Sequence, residues 1–381
     1  MSICISNKMD CCGCTACANI CPKRCIKLEP DELGFKYPIV DATRCIECGL
    51  CEKVCPFKNE KDRTSYYDTP LVYAIRVKDD VQLLKSQSGG AFYAFAEKLL
   101  EEGYIVYGAH LDSKLKVRHI RVNSKEGIDK LRYSKYVQSD ISGIFNSIKD
   151  DLKNGDKVLF SGTPCQVYGL KSCIGKKYAE NLLTIDLVCH AVPSPKIWED
   201  YVRFIEKKYN SKIVGALLRD KKFGWSKCYE TFKLASGKVL TRRTFDDLYF
   251  SLYTVRESCS NCRFTNLDRV GDITIGDFWG WNKNRAEFND DKGVSLVLIN
   301  TPKGSFVFEK AKHIIYYIES NTAECLQPQL RTPIVLNPRR NEFIADYKKR
   351  GFEYVGKKYA DLGIKSELIK FLKGIKRKIF K

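Results

Sequence analysis

The stretch KVLFSGTPCQVYGLK, residues 157–171, is the clearest indication of the fold class because it runs from a strand through a turn into a helix. KVLF is a short apolar run typical of a buried strand, and VYGLK begins a helical pattern. The stretch LLTIDLVCH at residues 182–190 repeats this arrangement, again with a cysteine where the strand ends. Alternating strands and helices predict an α/β or α+β domain. Functional residues are expected at the strand ends, where sites assemble in such sheets.

The alternation continues on both sides of this stretch. Phe92, Phe95 and Leu99 form the apolar face of a predicted helix that follows KSQSGG. Ser194 and Pro195 predict the cap and the first residue of another helix. Beyond it the pattern turns to strands, and YETFKLASGKVLTRRT predicts a hairpin.

The N-terminal part of the 381-residue chain holds most of its cysteines, ten of the 18 lying within residues 11–55. Two runs there have the spacing C-x2-C-x2-C-x3-C-P, 34 residues apart. Bacterial ferredoxins bind two [4Fe–4S] clusters with this spacing, and the fourth cysteine of each run ligates the other cluster. This assignment gives a first set of Cys11, Cys14, Cys17 and Cys55, and a second set of Cys45, Cys48, Cys51 and Cys21.

Zinc is the alternative for these runs, but zinc sites usually use two CxxC pairs rather than two complete runs that each end in proline. Cys4, Cys12 and Cys25 remain outside the pattern, and we expect them to be bystanders. The spacing therefore predicts an electron-carrying module at the N-terminus.

Composition and charge narrow the class of protein. The formal net charge is +19. Two clusters on these runs and a third on cysteines elsewhere in the chain, at roughly −2 each, would bring it to about +13. A basic protein favours an acidic redox partner such as ferredoxin, an anionic substrate or cofactor, or an anionic membrane surface. No nucleic-acid-binding fingerprint occurs, so no nucleic-acid partner is expected. The absence of a signal-peptide pattern and a cysteine pattern typical of metal binding predict a cytoplasmic location.

Four regions follow from these patterns. Residues 1–60 are the predicted ferredoxin module, 61–70 a polar linker, 71–335 the main domain and 336–381 a basic tail. Within the tail, residues 365–381 form a basic amphipathic pattern that would lie either on an anionic membrane surface or on the protein's own body. The first possibility adds a peripheral position at the inner face of the membrane.

Four further cysteines outside the N-terminal runs have a suggestive placement. Cys165 and Cys189 each follow a strand, and Cys259 and Cys262 form a CxxC pair in a later segment. They would provide four thiolates for a third cluster, or they would be buried structural thiols. Their scattered spacing leaves both interpretations open.

Five segments between Ser86 and Gly280 resemble the family of the coenzyme F420-reducing hydrogenase/dehydrogenase beta subunit. They are SQSGGAF at 86–92, LRYSKYVQSD at 131–140, LFSGTPCQVYGLK at 159–171, LLTIDLVCHAVPSP at 182–195 and CSNCRFTNLDRVGDITIGDFWG at 259–280. The resemblance covers about half of the chain. It implies a flavoprotein domain that holds FAD beside a [4Fe–4S] cluster, preceded here by the ferredoxin module.

The resemblance also implies a set of site residues. The ligands of the third cluster would be Cys165, Cys189, Cys259 and Cys262, with His190 as the alternative to Cys189. Candidate FAD contacts are Ser88, Gly89, Gly90, Ser134, Lys135, Tyr136, Gly162, Thr163, Gly276 and Asp277. No G-x-G occurs in the chain, which agrees with a family that binds flavin without the dinucleotide fingerprint.

Two of these candidates have alternatives. Ser88, Gly89 and Gly90 would offer backbone N–H groups to a pyrophosphate at a helix start, or they would form a simple helix cap. His190 would donate a proton to a reduced substrate as a catalytic residue, or it would be a structural histidine.

The predicted function is that of a ferredoxin-linked iron–sulfur flavoprotein oxidoreductase. It would pass electrons through the clusters to FAD and on, as hydride, to an organic acceptor, in a family whose members with a ferredoxin module are associated with cell-surface polysaccharide synthesis. The alternatives are a subunit that oxidises or reduces coenzyme F420 within a larger complex, and an electron-relay subunit without its own substrate.

Overall fold

The structure is a computed structural model that describes residues 3–59, 67–281 and 285–363. Its strands are β1 Ile26–Pro30, β2 Lys36–Val40, β3 Leu71–Val77, β4 Tyr104–Leu111, β5 Val117–Val122, β6 Lys157–Gly162, β7 Leu182–Leu187, β8 Ile213–Leu217, β9 Glu230–Leu234, β10 Val239–Arg242, β11 Ile273–Asp277, β12 Ser295–Ile299 and β13 Ile315–Ser320. Its helices are α1 Ala16–Ile20, α2 Leu50–Lys53, α3 Asp80–Leu84, α4 Ala91–Glu101, α5 Lys125–Leu131, α6 Ile144–Lys153, α7 Pro164–Ile174, α8 Pro195–Tyr209, α9 Thr244–Phe250, α10 Pro302–Ala311, α11 Thr322–Cys325 and α12 Arg340–Tyr359.

A mixed sheet forms the centre of the described chain, with the strand order β13-β3-β12-β11-β7-β6-β4-β5. The neighbours β4, β6, β7 and β11 are parallel, whereas the strands outside them pair antiparallel. Helices α4 and α10 pack on one face, and α6 and α7 pack on the other. Parallel strands end at the same edge of a sheet, so the segments after β6, β7 and β11 meet there. The predicted α/β class is confirmed.

Helix α7 begins earlier than the sequence pattern suggests. Thr163 is its N-cap and forms a capping box with Gln166, and Pro164 takes the first helical position. Cys165 therefore lies in the first turn of the helix rather than in a turn before it. The neighbouring Cys12 thiol and burial raise the pKa of the Cys165 thiol.

The cysteine-rich N-terminal segment packs on the helical face that α6 and α7 cover. It contains the antiparallel β1–β2 hairpin and the short helices α1 and α2. Ala16 of α1 is buried in the same apolar cluster as Val167 and Leu170 of α7. The two cysteine runs thus lie against the helix that carries Cys165.

A second layer consists of the small sheet β10-β9-β8 and the helices α8, α9 and α12. Helix α8 begins as predicted, since Ser194 Oγ accepts the backbone N–H of Ile197 at 3.0 Å. Helix α12 packs its Phe343 and Val355 into the core of this layer. Helix α12 thus packs with the main body although it lies beyond the boundary predicted at residue 336, and that boundary stays a prediction.

Parts of the predicted linker and tail lie outside the described residues. These parts are residues 61–66 of the linker and the amphipathic pattern at 365–381. Among the residues that are described, no helix has the length and apolarity needed to cross a bilayer.

Two carboxyl groups are buried together in the second layer. Glu230 accepts hydrogen bonds from the Tyr201 hydroxyl and the Asp246 backbone N–H, each at 2.7 Å. Burial raises the pKa of Glu230 to about 7. Burial and the neighbouring Glu230 also raise the pKa of Asp246, whose carboxyl oxygens find no hydrogen-bond partner among the described residues. Glu230 therefore keeps its proton in the folded protein at mildly acidic pH.

The Glu230→Gln variant should make stability less dependent on pH. An unfolded glutamate loses its proton near about pH 4.3, so the folded state binds the extra proton between there and about pH 7, and the free energy of unfolding falls as pH rises. Anaerobic urea unfolding at about pH 5 and about pH 8 measures this fall. Glu319→Gln, at an exposed position, is the control, and equal slopes for Glu230→Gln and wild type would contradict the assignment.

Candidate functional site

The second cysteine set surrounds one small cavity. Its four members line a cavity of about 20 Å³, together with the additional Cys25. Cys25 Sγ lies 3.4 Å from Cys21 Sγ. Cys21 from the first run thus stands with three cysteines of the second run, which is the exchange that ferredoxin ligation requires.

The members of the first set also lie close to one another. Burial raises the pKa of the Cys17 thiol to about 12, with further contributions from Cys11 and Cys55. Cys55 comes from the second run, so this set shows the reciprocal exchange. Arg256 Nη2 donates to Cys11 Sγ at 3.4 Å.

Four thiols from three segments form the third set at the carboxyl ends of β6 and β7. Burial raises the pKa of the Cys189 thiol, and the neighbouring Cys259, Cys165 and Cys262 raise it further. Thr163 Oγ1 lies 3.2 Å from Cys165 Sγ. The structure therefore brings together all four cysteines that the resemblance implied.

A buried ion pair holds two of these segments together. Arg269 Nη2 donates to Asp186 Oδ1 at 3.0 Å, and both side chains are almost completely buried. Asp186 Oδ2 accepts the backbone N–H groups of Val270 and Gly271. Asp186 lies near the end of β7, three residues before Cys189. The pair thus ties the Cys189 segment to the segment that follows Cys259 and Cys262.

The chemistry of each set fits an iron–sulfur cluster. Within the described ranges, no group of three or more Cys, His, Asp or Glu side chains is arranged to hold a single metal ion. A [4Fe–4S] cluster takes one thiolate at each of four corners, so its ligands stand wider apart than those of one ion. Four buried thiolates would repel one another without iron, and bound iron compensates their charge.

A cavity of about 860 Å³ opens beside the third set, at the carboxyl ends of β6, β7 and β11. Nine of the ten predicted FAD contacts line it, from four separate stretches of sequence: Ser88, Gly90, Ser134, Lys135, Tyr136, Gly162, Thr163, Gly276 and Asp277. Cys189 and His190 line it as well. The sheet order therefore gathers most of the predicted residues around one space.

Gly89 differs from the other predicted FAD contacts. Its N–H donates to Ser295 Oγ at 2.8 Å, and a Cβ there would lie 2.0 Å from Ile75 O. Gly89 is thus a glycine because the backbone of β3 passes so close, and its N–H is not free for a phosphate. Ser88 does not cap α4 either, since its hydroxyl donates to Val294 O and Gly90 occupies the cap position.

Lys135 is a buried ammonium at the edge of the cavity. Its Nζ donates to the backbone oxygens of Arg132 and Lys130. Burial lowers the pKa of Lys135 to about 7. An anion in the cavity would stabilise the charged form.

His190 faces the cavity between aromatic rings. Its ring lies 5.5 Å from that of Tyr249 and 5.9 Å from that of Phe250, between ring centroids. Gln329 Nε2 lies 2.9 Å from His190 Nδ1, whereas the buried Nε2 has no hydrogen-bond partner among the described residues. Burial lowers the pKa of His190. Cys189 thus lies beside the other three thiols of the third set, whereas the His190 ring lines the cavity.

Sequence reasoning missed several polar residues of the cavity. Five lining residues carry a buried polar atom without a hydrogen-bond partner in the described part of the chain: the predicted His190 and four that the sequence did not indicate, Gln87, Arg132, Arg219 and Gln327. Such atoms are expected to bind a ligand, because an unpaired buried polar group is costly. Arg219 lies in the segment LLRDKK, which has no recognisable motif, so only the fold reveals it.

The cavity is positively charged. Its cationic lining residues are Arg132, Lys135, Arg219, Lys227 and Arg243, and Asp277 is the one acidic residue among the described lining. Arg219 Nη1 donates to Asp277 Oδ2 at 2.6 Å, which compensates that carboxylate. A ligand with negative charge, such as a diphosphate, suits this lining.

The fold and these cysteine sets define an iron–sulfur protein with an α/β body. Comparison with known families agrees: residues 155–324 match the family described as the C-terminal region of the coenzyme F420 hydrogenase/dehydrogenase beta subunit. Residues 10–59 belong to the 4Fe-4S dicluster domain family. The predicted family and the predicted dicluster module are thereby confirmed.

Curated relatives extend the similarity over most of the chain. A coenzyme F420-dependent sulfite reductase of Methanocaldococcus jannaschii is 23% identical over 367 residues, which are 91% of this chain and 54% of the relative. One subunit of the F(420)H(2) dehydrogenase of Methanosarcina mazei is 20% identical over 188 residues, 47% of this chain and 53% of the relative. The chain spans about half the length of these two relatives.

A solved structure is also similar to this chain. It is that of the F420-reducing [NiFe] hydrogenase complex from Methanosarcina barkeri, with a TM-score of 0.47 and 19% identity. The similarity covers 79% of this chain and 94% of the other.

Cysteine substitutions test the ligand assignment of the second set. Cys25→Ala should keep the full iron content, because Cys25 lies beside the set without belonging to it. The double variant Cys21→Ala/Cys25→Ala should lose about four irons per chain, since no thiol is left at that corner. Iron and sulfide analysis of anaerobically purified protein measures this, and loss of iron from Cys25→Ala alone would contradict the assignment.

Proposed function

We propose that the protein is an iron–sulfur flavoprotein oxidoreductase that carries a [4Fe–4S] cluster on each of the three cysteine sets and FAD in the cavity beside the third. The observation that supports this best is the convergence of nine predicted FAD contacts on one cavity that Cys189 also lines. Bound FAD would supply the conversion between single electrons from the clusters and hydride chemistry on an organic substrate.

The lining of the cavity suits the two chemical parts of FAD. Lys135 and Arg132 provide positive charge near the start of α4, where a diphosphate is also favoured by the helix N-terminus. Tyr136 and Tyr249, whose ring centroids lie 5.2 Å apart, provide an aromatic wall. These residues bind and orient a flat, anionic cofactor, and their burial limits access of water.

The Nε2 atom of His190 is available to a ligand in this cavity. It lies in the wall formed by Tyr249 and Phe250, and Gln329 fixes the orientation of the ring through Nδ1. We propose that His190 contacts the substrate or the flavin by this atom. Its predicted role as a proton donor stays a prediction.

The N-terminal part of the chain is where a redox partner would bind. Cys48 of the second set is exposed, and the nearby Ile46 is 57% exposed. Lys23 lines the same small cavity as these residues. An acidic partner such as a ferredoxin would find both positive charge and an apolar contact close to the cluster.

A second candidate function follows from the names of the relatives. Two of them are described as enzymes of coenzyme F420, so this chain would be an F420-oxidising or F420-reducing subunit of a larger complex. Anaerobic turnover of F420 by the isolated protein would favour this candidate. A role in cell-surface polysaccharide synthesis stays a prediction, since the cavity indicates only an anionic organic substrate.

Counting cofactors tests the proposed function. Anaerobically purified protein should contain about twelve irons and one FAD per chain, and Cys165→Ser should contain about eight irons. Cys173→Ser is the matched control, because Cys173 is a buried thiol of the same helix α7 outside the three sets. Eight irons in the wild type would remove the third cluster. Intact clusters without flavin would instead support the electron-relay alternative.

Lys135→Gln should weaken flavin binding and leave the iron content unchanged. The variant removes a buried positive charge from the cavity, and ion pairs with phosphate are stronger when they are shielded from water. Flavin retained after gel filtration, and its dissociation constant by fluorescence, should show at least a several-fold loss. Lys130→Gln, at an exposed neighbouring position, is the control, and equal flavin retention in both variants would contradict the role of Lys135.

A further inference from the structure

Cys12 lies between two cysteine sets without belonging to either. The sequence pattern leaves it out, and the structure buries it to 9% exposure. Its side chain packs in one cluster with Cys14 of the first set and Cys165 of the third. One side chain thus lies beside cysteines that would bind two different clusters.

Arg256 makes a second connection at the same place. Its guanidinium is fully buried and donates to Cys11 O at 2.6 Å and to Cys11 Sγ at 3.4 Å. Its backbone oxygen accepts the N–H of Cys259, a member of the third set, at 3.1 Å. A path of covalent bonds within Arg256 and one hydrogen bond at each end therefore connects Cys11 of the first set to Cys259 of the third.

The chain is shaped to let Arg256 come this close. Gly13 has a φ of +70°, and a Cβ at this position would lie 2.8 Å from Arg256 Nη1. Gln138 Oε1 and Lys36 O accept two further guanidinium N–H groups at 3.1 and 3.0 Å. The Cys-Cys-Gly sequence at 11–13 thus combines a ligand, a bridging thiol and a residue small enough for the arginine.

We infer that Cys12 and Arg256 form the junction by which electrons cross between the N-terminal dicluster domain and the third cysteine set. This inference rests on the proposed function, because it requires a cluster on the first set and on the third. The second set, with its exposed Cys48, is then the outer position.

The transfer at this junction is a simple one-electron exchange. With clusters bound on both sets, one electron would pass from the first set to the third, so that one cluster is oxidised and the other reduced by one electron. No bond forms or breaks and no proton moves, so Cys12 remains a thiol and Arg256 remains a cation. Bonded atoms and hydrogen bonds couple two redox centres better than an empty gap of the same length does.

The two residues have distinct roles at the junction. Cys12 shortens the gap, because its side chain packs in the same cluster as Cys14 and Cys165. Arg256 also affects the reduction potential of the first-set cluster, since positive charge and hydrogen bonds to the sulfurs raise the reduction potential of a cluster. The first set should therefore be easier to reduce with Arg256 than without it.

Cys12→Ala tests the bridging thiol. Fast photoreduction of the anaerobic protein, followed by freeze-quench electron paramagnetic resonance, measures the rate at which the third-cluster signal appears. That signal is identified as the one missing from Cys165→Ser. We expect Cys12→Ala to keep about twelve irons and to slow this rate at least several-fold.

Cys173→Ala is the matched control for this experiment. Cys173 is equally buried at the same interface, where its thiol donates to Ala16 O at 3.4 Å. It should leave the rate unchanged. An unchanged rate in Cys12→Ala would overturn the inference, and so would a loss of about four irons, which would make Cys12 a ligand. A Cys165→Ser protein that keeps all its iron would instead overturn the proposed third cluster.

Arg256→Gln and Arg256→Lys test the electrostatic role. Potentiometric titration followed by electron paramagnetic resonance should show a lower potential of the first-set cluster in Arg256→Gln. Arg256→Lys keeps the charge and loses the fork of hydrogen bonds, so its potential should lie between those of Arg256→Gln and wild type.

Arg76→Gln is the control for a buried guanidinium away from the cysteine sets. Arg76 lies on β3 and pairs with Asp290 at 2.8 Å. It should leave the first-set potential unchanged. A wild-type potential in a folded, iron-replete Arg256→Gln would overturn the role of Arg256. If that variant does not fold, a wild-type potential in Arg256→Lys has the same meaning.

Discussion

The buried ion pair between Asp186 and Arg269 is the interaction on which the rest of the structure depends. Asp186 stands near the end of β7, and Arg269 belongs to the segment between the CxxC pair and β11. Arg269 and the backbone N–H groups of Val270 and Gly271 together compensate the negative charge of Asp186. Removing one partner of such a pair costs about 3–5 kcal/mol, because the other charge is left alone in the interior. The meeting of the three segments of the third set, and with it the wall of the cavity, rests on this contact.

Charge explains how the three cysteine sets and the cavity fit together. The sets bring buried thiolates close to one another, which is favourable only when positive charge accompanies them. Iron would provide it inside each set, and Arg256 provides it between the first and the third. The cavity has the opposite need, since its lysines and arginines outnumber its one described carboxylate. Iron sites with net negative charge and a positively charged anion-binding cavity therefore lie side by side.

Much of this architecture could be predicted from local sequence. The cap at Ser194, the α/β alternation and the ferredoxin spacing depend on residues close together in the chain, so a short window contains the signal. The sequence pattern predicts that α7 begins after Gly-Thr-Pro, because these residues are typical of a turn. The helix begins earlier, at Pro164, because Thr163 and Gln166 form a capping box. Gly89 was assigned to the cofactor, whereas its role is set by the passing strand β3, which no window around residue 89 contains.

Local sequence is enough to define the two N-terminal cysteine sets, since the spacing of each run encodes a tight loop around a cluster. It also determined the alternation of strands and helices through hydrophobic periodicity. The grouping of Cys165, Cys189, Cys259 and Cys262 into one set depends on tertiary structure, because the order of parallel strands brings distant segments to one edge. The same long-range packing gave Arg219 its place in the cavity and put Cys12 between two sets. Contacts of this kind depend on which strands become neighbours, and that choice is made by the whole core rather than by any single motif.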